Sequence, residues 1–330
     1  MSDPILTRDN PQLSRPTMAD LDVPKVSAIN CTSHLPNTVA RFVNDSLAEN
    51  SRRAYLSDLA EFERWGGSIP ASAETVAAYL AARADTLAVA TLVRHLASIS
   101  KAQEARRLSN PTRSELVRAT LRGIKRTRGC AQREVKPLLR DDLLLVLDAM
   151  GDSIKDIRDR ALLLIGFAGA LRRSELVGVD LGDIGHVRQG IVLTLRCSKT
   201  DQDGQGRKIG IPYGRSRWCP VAALDAWLTA SGIAEGSIFR PVDRHARVQN
   251  VRLSGEAVSL VLRERVAAAG LDPACYSGHS LRAGLATSAA QAGVPMWRIR
   301  TQTRHASDSM LSRYIRDGEL FTDNAAGALL

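Results

Sequence analysis

Residues 190–212, GIVLTLRCSKTDQDGQGRKIGIP, decide the fold class. Ile191, Val192, Leu193 and Leu195 form one β-rich run, and Ile209 and Ile211 alternate within another. Between them lies a polar tract of Ser, Lys, Asp, Gln and Gly. Two such runs around a glycine-bearing polar loop predict a β-hairpin. Everything around the hairpin reads as helix, so the chain is expected to be mainly α with one small sheet in its second half.

Working upstream, RDDLLLVLDAM (140–150) and IRDRALLLIGFAGALRRSELVGV (157–179) are predicted helical, the second broken around Gly169 to Leu171. Downstream, helices are expected over 221–230, 255–270, 281–293 and 295–303. The first half carries no strand signal and four or five helices. Ser51 is read as the N-cap of RRAYLSDLAEFERW, whose Tyr55, Leu59 and Phe62 share a face, and Gly66, Gly67 and Pro70 end it. Helices follow over 72–84, over 87–105 with Leu92, Leu96 and Ile99 aligned, and over 113–126 after Pro111 and Thr112. Residues 1–35 hold Pro4, Pro11, Pro16 and Pro24 among polar residues and read as a flexible arm. The expected division is therefore arm 1–35, helical domain 36–128, linker 129–138, and mixed domain 139–330 ending in a tail, 317–330.

The chain has 330 residues, enough for two cores. Lysine and arginine number 45 against 35 aspartate and glutamate, a net charge of +10 that favours a polyanionic partner. Basic residues gather at Lys101, Arg106, Arg107, Arg113, Arg118, Arg122, Lys125, Arg126 and Arg128, flanking the linker. Such a run is ordinarily a solvated helix face; beside a linker in a basic protein it suits phosphate contacts. The five cysteines, Cys31, Cys130, Cys197, Cys219 and Cys275, lie far apart with no C-x-x-C pair, which argues against a disulfide framework or a zinc site. No stretch has the apolar length of a membrane span, and the start lacks the order of a secretory signal, so a cytoplasmic protein is expected.

Candidate chemistry sits at scattered polar residues, each with an ordinary alternative. Arg172 and Glu175 are three apart: a surface ion pair, or a carboxylate that orients a guanidinium toward a phosphate. Arg173 is the rival arginine, with poorer register to Glu175. Lys199 is an exposed turn lysine or a mobile acid on a rigid hairpin. His279 and Arg282 stand one helical turn apart, as cap and surface residue or as a pair. His305 and Tyr314 are nine apart; on one straight helix they would rise about 13.5 Å and face opposite ways. The chain must bend between them, and 306–309 (ASDS) supplies the break. Together the set suits one task. Two arginines and a histidine stabilise charge on a phosphodiester, and a phenol with an ordinary pKa near 10 needs a base or local positive charge to attack it. No carboxylate cluster for two metals and no ATP-binding loop is evident.

GALRRSEL, the hairpin, GHSLRAGLATSAAQAG and RHASDSMLSRYIR together resemble the tyrosine recombinase (phage integrase) family, in its two-domain Cre and Xer type, over roughly residues 38–320. The resemblance implies an all-helical, SAM-like core-binding domain and a mixed α/β catalytic domain that close on DNA as a C-shaped clamp. By that likeness Arg172 and Arg282 grip the scissile phosphate, Glu175 supports Arg172, and Lys199 is general acid for the 5′-hydroxyl. His279 accepts the proton of Tyr314, His305 bonds the phosphate, and Tyr314 forms the 3′-phosphotyrosyl bond. No cofactor, metal or ATP is expected. The partners are double-stranded DNA with an inverted repeat and three further copies of the chain, a homotetramer on two sites, monomeric or weakly associated off DNA. The tail is expected to dock in trans or fold back. The protein would be nucleoid-associated and encoded by a bacterium, phage or plasmid. Groove and phosphate contacts fall to Thr91, Arg94, Lys101, Arg122, Lys125 and Arg126. One departure stands out: the family carries glycine before the second histidine, and this chain has Arg304, which could add a phosphate contact. A type IB topoisomerase and an architectural DNA binder with a decayed site are the rival readings.

Overall fold

The computed structural model describes residues 36–129, 135–196, 206–305, 311, 312 and 314. The chain divides into two units, the first ending at Arg133 and the second beginning at Glu134.

The first unit is helical among the described residues: α1 (Asn37–Asp45), α2 (Glu49–Trp65), α3 (Ala73–Arg83), α4 (Val89–Ala105) and α5 (Glu115–Arg128). Side-chain caps start two of them. Ser72 Oγ accepts from Thr75 N at 3.2 Å and Ser114 Oγ from Val117 N at 3.3 Å. Gly66, at φ 111°, ends α2 in the left-handed conformation glycine favours. Ser51 is not the cap expected: α2 begins at Glu49 after Ala48. Glu49 suits the positive helix N-terminus and pairs with Arg53 one turn on, at 2.7 Å, which extends the helix past Ser51. Leu59, Phe62, Val76, Tyr79, Leu80, Leu92, Ile99 and Val117 fill the core, with Tyr55 and Leu96 packed at its edge.

The second unit contains α6 (Arg140–Asp148), α7 (Ile154–Ala168), α8 (Arg173–Gly178), β1 (Ile184–Val187), β2 (Gly190–Leu195), β3 (Arg207–Pro212), α9 (Pro220–Ser231), α10 (Gly255–Ala268), α11 (Ser280–Gln291) and α12 (Met296–Thr303). The expected hairpin is β2–β3, antiparallel with Ile191 opposite Ile211 and Leu193 opposite Ile209. These apolar residues point into the core together. A third strand, β1, joins the free edge of β2, giving the order β1-β2-β3. The hairpin loop, Lys199 included, lies outside the described residues.

Helix α7 is the axis of this core, with Ala161 to Ile165 buried along it. It breaks where expected, and the chain turns through Ala170 into α8. Helix α11 crosses the incoming segment so closely that a Cβ at Gly284 would lie 1.8 Å from the Leu138 carbonyl oxygen. Only glycine permits that approach. A small satellite cluster of Ala286, Ala290, Ile299 and Leu311, with Tyr314 against it, fastens the last described residues to α11 and α12.

Candidate active site

The break between α7 and α8 does more than turn the chain. Ala170 sits at φ 45°, in the left-handed region that costs an L-residue about 1–2 kcal/mol. Its carbonyl oxygen accepts from Arg282 Nη1 at 2.8 Å and from Arg304 Nη2 at 3.0 Å. Strained backbone of this kind collects at functional sites.

Two residues on, Arg172 stands at the N-cap of α8 with Glu175 at the third position. Glu175 is buried, with 4 % of its surface exposed. Its Oε1 accepts from Arg172 Nη1 at 2.6 Å. Its Oε2 accepts from the Arg172 backbone N–H at 2.9 Å and from Arg304 Nη2 at 3.0 Å. The carboxylate therefore holds Arg172, and it also holds a second arginine that the sequence did not assign to it. Arg173 is exposed and packs its stem over Gly255 and Gly278.

His279 caps α11 and Arg282 lies one turn in, with 1 % of its surface exposed. Arg172 and Arg304 thus share one carboxylate, and Arg282 joins them through the Ala170 carbonyl. Burial is the main force pushing the Arg282 pKa down to about 10, and the charges of Arg172 and Arg304 add to it. Burial also lowers Arg304; Glu175 opposes the shift, and Arg172 and Arg207 on β3 reinforce it.

Arg304 ends α12 at φ 56° and ψ 42°. This is the left-handed turn that a glycine would take without strain, so the departure from the family pattern keeps the backbone and adds a side chain. His305 follows, 7 % exposed. Its Nδ1 lies 2.8 Å from Thr303 Oγ1, whose own proton goes to the Ile299 carbonyl at 2.8 Å. The hydroxyl therefore accepts from Nδ1–H, and neutral His305 carries no proton on Nε2. Burial, with help from the charges of Arg282, His279, Arg172 and Arg304, pushes its pKa down to about 4.

Tyr314 closes the group. Its hydroxyl is 2.6 Å from His279 Nε2, and its ring centroid is 5.6 Å from that of His305. The bend expected at 306–309 lies outside the described residues; on either side of that stretch the His305 and Tyr314 rings come close. His279 keeps an accessible surface, yet enough protein crowds its ring that burial lowers its pKa, and Arg282 and Arg172 lower it further. A neutral imidazole beside a phenol is placed to accept its proton. Arg282 and a Tyr314 phenolate are close enough for their charges to stabilise each other.

Four buried nitrogens here have no hydrogen-bond partner among the described residues: Arg282 Nη2, Arg304 Nε, Arg304 Nη1 and His305 Nε2. Buried polar groups are rarely left unpaired; the three guanidinium nitrogens are charged donors, and His305 Nε2 becomes one on protonation. A multivalent oxyanion would satisfy both needs.

The residues expected to touch DNA in the first unit are surface groups or are locally paired within that unit. Thr91 is half-buried on α4, and Lys101 pairs with Glu104 at 3.2 Å. Arg94 is committed to Asp58, through Nη2 to Oδ1 at 2.7 Å and Nε to Oδ2 at 2.9 Å. On α5, Arg122 pairs with Glu115, Lys125 is half-buried and Arg126 is exposed. Sequence reasoning missed the Ala170 carbonyl, the Thr303 hydroxyl and Arg207. A backbone acceptor leaves no side-chain signal, and Thr303 and Arg207 become informative only once their neighbours are known.

Fold and pocket bring a tyrosine hydroxyl against a histidine beside three arginines, a donor set that suits an oxyanion. Residues 136–319 match the phage integrase family model. The chain is 38% identical over 311 residues to an integrase/recombinase XerD homolog of Selenomonas ruminantium, covering 91% of each. It is 25% identical over 286 residues to the recombinase Cre of Escherichia phage P1, covering 81% of this chain and 80% of the other. Among solved structures it shares the fold of the XerH site-specific recombinase bound to a palindromic difH substrate, with a TM-score of 0.63, 15% identity, and 86% and 81% of the two chains covered. The chain belongs to the phage integrase family: it is a tyrosine recombinase, an enzyme that breaks and rejoins DNA strands.

Proposed function

We propose that Tyr314 is the nucleophile and that the pocket around Glu175 holds the scissile phosphate of a DNA site with inverted repeats. Arg172 and Arg282 bind its nonbridging oxygens, and Glu175 fixes Arg172. His279 takes the phenolic proton as the Tyr314 oxygen attacks phosphorus. The bond to the 5′ oxygen breaks, and Lys199 gives that oxygen its proton. The product is a 3′-phosphotyrosyl ester and a free 5′-hydroxyl. A diester has become a diester, so the same attack in reverse reseals the strand with no outside energy source. His305 bonds the phosphate once Nε2 is protonated. The helical first unit, with its basic α5, supplies duplex contacts, and four copies act on two sites. The tail, 317–330, lies outside the described residues; its docking on a neighbouring copy is part of this proposal.

One observation carries the proposal: the Tyr314 hydroxyl bonds His279 beside a buried cluster of arginines with unpartnered N–H groups. The test is a nicked duplex built on the half-sites that the full chain selects from randomised DNA. Wild type should form a covalent adduct and Tyr314→Phe none. An adduct on Tyr314→Phe, or none with wild type, defeats the proposal. Relaxation of a supercoiled plasmid lacking the site would point to a topoisomerase.

A further inference from the structure

Arg304 is the feature that this reading leaves unexplained. It occupies a left-handed turn where a side chain is a burden, and it is buried. Its Nη2 is shared between Glu175 Oε2 and the Ala170 carbonyl, each at 3.0 Å. The other oxygen of that carboxylate, Oε1, holds Arg172 at 2.6 Å, and the same carbonyl holds Arg282 at 2.8 Å. The three guanidinium groups therefore form one connected lattice: Arg172, Glu175, Arg304, the Ala170 carbonyl, Arg282. Within it Glu175 supplies one negative charge against three positive ones. Arg304 keeps two donors, Nε and Nη1, buried and without partners among the described residues, as Arg282 keeps Nη2. A purely structural arginine would be expected to spend its donors on the protein.

We propose that Arg304 is a third phosphate-binding guanidinium, a catalytic residue that contacts the scissile phosphate alongside Arg172 and Arg282. This rests on the recombinase reading of the pocket. Its unspent donors meet the nonbridging oxygens, and its charge offsets the negative charge that grows there as Tyr314 attacks. The shared acceptors hold all three groups in place before DNA arrives, so little rearrangement accompanies the reaction.

The experiment measures single-turnover adduct formation on the nicked duplex described above, for wild type, Arg304→Gly and Arg304→Lys. Half-site binding and thermal melting report folding. Removing one such donor costs roughly 10²- to 10³-fold in rate in comparable sites. Arg304→Gly should lose about that much while binding the half-site and melting like wild type, and Arg304→Lys should recover part of it. A second duplex carries a methylphosphonate at the scissile position, which removes one anionic oxygen. On it the gap between wild type and Arg304→Gly should shrink to within about tenfold, because the charge that Arg304 answers has gone. Equal rates for wild type and Arg304→Gly on ordinary DNA would overturn the proposal. So would a defect that stays the same size on the methylphosphonate, which marks a positioning role only. No adduct with wild type would instead defeat the recombinase reading itself.

Discussion

Each unit of this protein buries a polar cluster built around one carboxylate, and the two clusters differ in what they leave over. In the first unit Asp58 accepts from Arg94, from Ser98 Oγ at 2.8 Å, and lies 3.0 Å from His95 Nε2. His95 Nδ1 in turn meets Tyr79 OH at 2.7 Å. Burial drives the Tyr79 phenol up to about 12, so it stays neutral. One arginine meets one carboxylate, and Arg94, Ser98, His95 and Tyr79 all find partners within the cluster. In the second unit three arginines gather at Glu175 and the Ala170 carbonyl, and three of their nitrogens have no partner among the described residues. A closed network of this kind rigidifies a core. The open one leaves over positive charge and unused donors.

The strongest challenge to this contrast is to break each cluster. Arg282→Ala should slow adduct formation about 10³-fold, a barrier of about 4 kcal/mol. It should lower the urea midpoint only modestly, since removing one of three like charges relieves repulsion as a hydrogen bond is lost. Asp58→Ala should do the reverse, costing about 3 kcal/mol of unfolding free energy by taking the acceptor from Arg94 and from His95 Nε2. Its adduct rate at permissive temperature should remain near wild type. If Arg282→Ala destabilises as much as Asp58→Ala, the second cluster is scaffold too.

Acid sharpens the comparison further. His305 has a folded pKa of about 4 against about 6.5 in an unfolded chain. The unfolded chain therefore binds the extra proton first. The stability that neutral His305 contributes is complete above about pH 6.5 and is lost as pH falls toward 4, an effect of order 2 kcal/mol. Sulfate, an oxyanion for the same pocket, favours protonated His305, so its stabilising effect should grow over the same range. Melting curves at pH 7 and pH 5, with sulfate and with chloride, check both signs. His305→Gln should lose the sulfate dependence on pH.

The smallest expected effect concerns Ala170. Because its carbonyl does the bonding, Ala170→Gly should keep the adduct rate and raise stability by at most about 1 kcal/mol through relief of the left-handed strain. A rate loss above tenfold would mean that the methyl group itself helps to shape the pocket.

Much of the pocket was legible because its side chains announce themselves. Arg172 and Glu175 follow a helix break marked by Gly169, and the Arg282 and His279 spacing is a helical turn. The requirement for a bend before Tyr314 follows from helix geometry alone. The failures have physical causes. Strand β1, Ile-Gly-His-Val, is largely exposed and lacks the alternation that betrays a strand. Ser51 looked like a cap because its side chain can cap, whereas the helix gains more from Glu49 upstream. Arg304 resisted because the rule linking left-handed turns to glycine says nothing about what an arginine placed there would touch.

The segment entering the second unit is stitched to α11 along its length. Lys136 N bonds the Cys275 carbonyl at 2.8 Å, Leu138 N the Ser280 carbonyl at 3.0 Å, and Arg140 N the Ser288 hydroxyl at 2.9 Å. Helix α11 is the one that begins at His279 and carries Arg282. The residues that enter the unit and the residue that meets the tyrosine are thus anchored on one helix and the turn before it.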